Sequence, residues 1–112
     1  MDSERAQSLL AAERSRIELG LEAISSQGAL EGSDQREPGD RDSESLYMDS
    51  MNASQAETLK SELAAVERAE ARLAAGTYGL SVESGEPIPD GRLEAIPTAE
   101  RTIEEQQRYS RG

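Results

Sequence analysis

Apolar residues recur at helical spacing in two stretches of the chain, and both stretches are bounded by segments with no period. In the first, Leu10, Ile17 and Ile24 return every seven residues, Leu21 adds an intermediate position, and Glu13, Arg16, Glu18 and Glu22 lie off the stripe. This pattern predicts a helix over residues 3–26. Ser3 serves as its N-cap, Glu4 complements the dipole in the first turn, and Gly28 is the expected stop. Gly20 inside that helix costs about 1 kcal/mol relative to alanine. In the second stretch, Leu59, Leu63, Val66, Ala69 and Leu73 fall at spacings of four, three, three and four, the narrow seam of a two-stranded coiled coil. Ser54-Gln55-Ala56-Glu57 is a capping-box pattern that opens an arm over 54–76, with a start as early as Ser43 also open, and Gly76 caps its end.

Two seams of similar length predict a long antiparallel helical hairpin over residues 1–76, with residues 27–53 as its tip. The seams build the hairpin and carry no chemistry. After Gly76 the pattern changes. Tyr78-Gly79, Ser84-Gly85, Pro87, Pro89 and Asp90-Gly91 are turn signals, and Val82, Ile88, Leu93 and Ile96 are the few apolar groups available to hold a small lobe. Pro97 then precedes a last helix, expected at roughly 98–109. The fold class is mainly α, with a lobe and C-terminal helix over 77–112.

Composition narrows this picture. Only 35% of the 112 residues are hydrophobic, with three tyrosines and no Phe or Trp, so an extended helical protein fits better than one with a large core. The net charge of −11 disfavours direct binding to phosphate-bearing nucleic acid, because Lys60 is the only lysine and the arginines are interleaved with acids. Acidity of this kind gives solubility, and it also suits a partner with a positively charged docking channel. Between Glu31 and Ser50, seven acids (Glu31, Asp34, Glu37, Asp40, Asp42, Glu44, Asp49) stand against Arg36 and Arg41. An acidic loop is ordinarily just solvated, but one at the turn of a hairpin is placed to reach into a partner. No run approaches a membrane span and the N-terminus has no signal-peptide character, so a cytoplasmic protein is expected.

The lobe carries a further pattern. Ser81-x2-Ser84, seventeen residues, then Thr102-x2-Glu105 repeats the spacing of a four-cysteine zinc ribbon without a single cysteine. With no Cys and no His in the chain, and with hydroxyls and one carboxylate at the four positions, no structural zinc site is expected. Thr102-Ile103-Glu104-Glu105 is itself a capping-box pattern. Thr102 and Glu105 are therefore expected to satisfy backbone donors at the start of the last helix, and Ser81 and Ser84 to bond within their turn.

At these residues the chain resembles the DksA/TraR family, whose members carry a C4-type zinc finger. Gly76-Thr77-Tyr78-Gly79, Ser84-Gly85-Glu86-Pro87-Ile88 and Arg92-Leu93-Glu94-Ala95-Ile96-Pro97-Thr98-Ala99 stand in the family's order and spacing. At the tip, Glu37-Pro38-Gly39-Asp40-Arg41-Asp42 looks like the family's D-P-x-D-R-A. The resemblance implies a transcription regulator, linked in the family to the stringent response. It would bind bacterial RNA polymerase through the secondary channel and act near the active centre through its acidic tip, without binding DNA. It names Asp40 and Glu37 as tip residues, with Arg41 and Asp42 as modifiers. Glu37 is one methylene longer than the family's aspartate, and Asp42 replaces a small alanine. The alarmone ppGpp enters as a co-regulator of the family, with no contact residue matched in this chain. The alternative is a hairpin interaction or scaffold protein that has lost polymerase regulation. A monomer is expected, although the seams also permit self-association.

Catalysis is not expected. The tip carboxylates have no apolar pocket to shift their pKa values, their spacing is not that of a Ca²⁺ loop, and the commonest nucleophile–base pairs require the missing His or Cys.

Overall fold

The computed structural model describes residues 1–33 and 43–111, with side chains outside 26–50. Four helices follow in order: α1 (Ser3–Ser33), α2 (Ser43–Ala75), α3 (Asp90–Ala95) and α4 (Ile103–Arg111). Among the described residues, β pairing is confined to one antiparallel bridge between Leu80 and Pro87. The fold is mainly α, a helical hairpin followed by a small lobe, as the two seams predicted.

Helix limits depart from expectation in five places. Ser3 is the first residue of α1 rather than its N-cap, and the Asp2 carboxylate caps the helix by accepting from Arg5 N at 2.7 Å. α1 does not stop at Gly28 but continues to Ser33. A single helical glycine costs about 1 kcal/mol, and its neighbours Gln27, Ala29, Leu30 and Glu31 are strong helix formers that offset it. α2 begins at Ser43, the earlier of the two possible starts, so Ser54 is no N-cap. Its carbonyl accepts from Thr58 Oγ1 at 3.1 Å, the i−4 back-bond of a helix interior. Asp90-Gly91 opens the short helix α3 rather than a plain turn, because Leu93 gains burial there at 1% exposure. α4 starts at Ile103, behind a Thr102 cap, instead of near 98. Helix thus takes both edges of the expected 27–53 tip.

The chain forms two compact units. One comprises Ser15–Leu63. Its two helical segments run antiparallel, since Arg16 Nη2 pairs with Glu62 at 3.0 Å while Gly20, further along α1, faces Leu59, earlier on α2. Ile17 is fully buried, and Leu21, Ile24, Leu59 and Leu63 are half-buried along the same seam. A Cβ on Gly20 would lie 3.0 Å from Leu59 Cδ1, so the absence of a side chain here lets Leu59 of α2 approach the α1 backbone.

The other unit comprises Met1–Arg14 and Ala64–Gly112. Here Ala6, Leu10, Val66 and Ala69 are buried, and Arg14 donates twice to the Glu70 carboxylate, at 3.2 and 2.7 Å. α2 ends in a Schellman motif. Gly76 is left-handed (φ 81°), its N–H bonds to Leu73 O at 3.2 Å, and the Thr77 N–H bonds to Arg72 O at 2.9 Å. The lobe follows at once. Its core is Ile88, Leu93 and Ala99 with Tyr78 packed against them, and the Tyr78 hydroxyl donates to Pro97 O at 2.8 Å. A core of this size needs polar reinforcement.

Candidate functional site

The four cysteine-frame positions lie in two segments of the lobe. Ser81 and Ser84 sit in the tight turn that closes on left-handed Gly85, where the Gly85 N–H bonds to Ser81 O at 2.9 Å and the Ser81 N–H to Glu86 O at 2.8 Å. Thr102 and Glu105 sit at the start of α4, in the second segment. The capping box there is closed. Glu105 N donates to Thr102 Oγ1 at 3.2 Å, and Thr102 N donates to Glu105 Oε1 at 3.0 Å.

Ser81 joins the two segments. Its hydroxyl donates to Glu105 Oε1 at 2.6 Å and accepts from the Glu83 and Ser84 amides at 3.1 and 3.3 Å. Ser84 Oγ in turn accepts from Glu86 N at 3.2 Å. The bonding within each segment follows the expectation from sequence, whereas the link from Ser81 across to Glu105 was not foreseen. Ser81 and Glu105 are the buried polar side chains of the described residues. The hydrogen bond from Ser81, then that from the Thr102 amide and that from Ser84, hold the Glu105 carboxyl at a pKa of about 2, well below its ordinary value.

Around this node lies an ion-pair junction that sequence reading missed. Glu100 accepts from Arg68 at 3.3 and 3.1 Å and from Arg72 at 3.1 Å. Burial pushes its pKa up, but the Arg68 hydrogen bond and the charges of Arg68, Arg72 and Arg101 outweigh burial and leave it lowered. Arg101 bonds Glu83 at 3.0 Å and stacks 3.8 Å over the Tyr109 ring. Arg92 Nε donates to Arg101 O at 2.9 Å, and Arg5 makes two bonds to Glu94, at 3.0 and 2.6 Å. Helix periodicity carries no signal for these pairs, because each links residues of different segments and none repeats at helical spacing. The Tyr78–Pro97 bond, by contrast, joins two motifs already singled out.

The tip residues Glu37, Asp40, Arg41 and Asp42 lie outside the described residues. Among the described residues, no three acidic, histidine or cysteine side chains gather as a metal site, and no helix is long and apolar enough to cross a membrane.

Comparison with known proteins points to one family. The model of the prokaryotic dksA/traR C4-type zinc finger matches residues 76–111. Two curated relatives, the RNA polymerase-binding transcription factor DksA of Caulobacter vibrioides strains NA1000 / CB15N and ATCC 19089 / CIP 103742 / CB 15, are each 46% identical over 46 residues. That stretch is 41% of this chain, and it spans only 32% of the length of those relatives. The structure of transcription factor DksA2 from Pseudomonas aeruginosa matches with a TM-score of 0.74 at 27% identity, covering 97% of this chain and 83% of that one.

The C4 description implies zinc, and the residues present do not fit it. Zinc in such a finger takes four thiolate or imidazole ligands. Here three hydroxyls and one carboxylate stand in their places, and Glu105 Oε1 already accepts two short hydrogen bonds. The lobe thus resembles the dksA/traR C4-type zinc finger over residues 76–111, without its cysteines, and the chain shares its fold with DksA2 over nearly all its length.

Proposed function

We propose that the chain regulates transcription by binding bacterial RNA polymerase directly through its secondary channel, with the acidic hairpin tip acting near the active centre and without contacting DNA. The observation that carries this reading is the fold shared with transcription factor DksA2 over 97% of the chain. The 46% identity over 46 residues to proteins named RNA polymerase-binding transcription factors supports it. So does charge: a molecule at −11 is repelled by nucleic acid and attracted to a basic channel. Asp40 and Glu37 are the acting carboxylates in this proposal, with Arg41 and Asp42 setting the shape and charge beside them.

The test is a pull-down of core RNA polymerase at low salt, followed by in vitro transcription with the wild type, Asp40→Asn and Asp42→Ala, each with and without ppGpp. Recovery of polymerase and loss of the transcriptional effect in Asp40→Asn are expected. Failure to recover polymerase would leave the scaffold reading in its place. An active wild type indifferent to Asp40→Asn would show that the tip does not act as proposed.

A further inference from the structure

We propose that the Glu105 carboxylate locks the lobe in place of a metal, making its fold indifferent to divalent cations and to thiol redox chemistry. The inference does not rest on the identity of the partner. It rests on how the side chains at the four positions are already engaged in hydrogen bonds within the lobe. A serine hydroxyl offers one proton and two lone pairs. The Ser81 hydroxyl gives its proton to Glu105 and receives the Glu83 and Ser84 amides, so its capacity is used in full. Thr102 Oγ1 holds the Glu105 amide, Ser84 Oγ holds the Glu86 amide, and Glu105 Oε1 holds both Ser81 and Thr102.

A cation that took Glu105 Oε1 or Ser81 Oγ as a ligand would have to displace the Ser81–Glu105 bond, and at Ser81 would strip the turn of its acceptor. It would find one carboxylate and three hydroxyls as ligands, a set without the thiolates or imidazoles on which zinc affinity depends. The node also does the mechanical work of a metal. It ties the Ser81 turn to the first turn of α4, the same two segments that a C-x2-C…C-x2-C site would clamp. With no cysteine in the chain, oxidation has no thiol to act on.

Two measurements on the full chain decide it. First, the wild type is expressed with added zinc, assayed for metal, and unfolded thermally with and without EDTA and with excess zinc. The expected result is no stoichiometric zinc and a midpoint shift below about 1 °C in every condition, since a ligand that does not bind the native state cannot stabilise it. Equimolar zinc, or a midpoint that falls on chelation, overturns the proposal.

Second, Ser81→Cys, Ser84→Cys, Thr102→Cys and Glu105→Cys are combined in one variant. If the node stands where a metal would, this variant takes up equimolar zinc and its unfolding becomes EDTA-dependent, even if it folds only when loaded. A quadruple variant that binds no zinc overturns the claim that the four positions converge on a metal's place. The wild-type measurement stands whatever the variant does.

Discussion

At Glu105 a single oxygen accepts the Ser81 hydroxyl at 2.6 Å and the Thr102 amide at 3.0 Å, and its carboxyl is held at a pKa of about 2. A carboxyl whose pKa is lower folded than unfolded binds more protons in the unfolded chain, so it stabilises the fold above the unfolded value and loses that contribution as pH falls through the folded one. For Glu105 the window runs from its ordinary 4.5 down to about 2. Glu70, lowered chiefly by the Arg14 hydrogen bond, and Glu94, lowered chiefly by that from Arg5, act with the same sign. Unfolding midpoints measured against pH should therefore decline on acidification below the ordinary carboxylate range. Glu105→Gln should flatten that decline, because glutamine does not titrate. A variant that follows the wild-type slope would show that the Glu105 charge is not involved. Thr102 offers a second test at this scale. Its Oγ1 caps α4 by accepting the Glu105 amide, so Thr102→Ala should cost about 1 kcal/mol, seen as a midpoint lower by roughly 4 °C, while Thr102→Ser should be near neutral.

At the scale of elements, two glycines respond unequally to the same substitution. Gly76 is left-handed with open space where a Cβ would sit, so Gly76→Ala should cost about 1–2 kcal/mol from backbone conformation alone. Gly20 lies inside α1 in ordinary helical conformation, where alanine gains about 1 kcal/mol of propensity. That gain meets a contact 3.0 Å from Leu59 Cδ1, the far end of a half-buried side chain that can rotate away. Gly20→Ala should then change stability by less than about 0.5 kcal/mol, and Gly20→Leu should lose about 1–3 kcal/mol by overpacking. Denaturant titration separates these outcomes. The contrast also shows what a sequence can disclose. Gly76 was legible as a cap, because a glycine after an apolar seam and before turn residues has one common use. Leu10, Ile17, Val66 and Ala69 were legible as core from their period alone, and all are buried. The reach of α1 past Gly28 was not legible, since one unfavourable residue does not end a helix whose neighbours favour it. Nor was the Ser81–Glu105 bond, which spans segments 24 residues apart and obeys no local rule. The cysteine frame marked the right residues there, but not that one carboxylate oxygen would collect donors from both sides of it.

For the whole molecule, the distribution of charge matters more than its sum. The unit Ser15–Leu63 holds eleven acidic and four basic residues, and so carries seven of the chain's eleven net negative charges in fewer than half its residues. If that unit enters a basic channel, as proposed, attraction acts first over distances comparable to the screening length, about 10 Å at 0.1 M salt and about 3 Å at 1 M. Raising salt should therefore slow association with polymerase and weaken recovery in a pull-down. Neutralising an exposed acid away from the tip, as in Glu57→Gln, should lower the association rate slightly and leave the transcriptional effect of the bound state unchanged. Asp40→Asn should do the reverse, because a carboxylate acting at the active centre contributes after docking, not during approach. Asp42→Ala removes a charge and restores the small residue usual in the family, so it should change the size of the transcriptional effect more than the affinity. Salt-insensitive binding by an otherwise active protein would mean that the acidic unit is not what docks. Equal losses of rate and effect in Glu57→Gln and Asp40→Asn would mean that the tip contributes charge and nothing more specific.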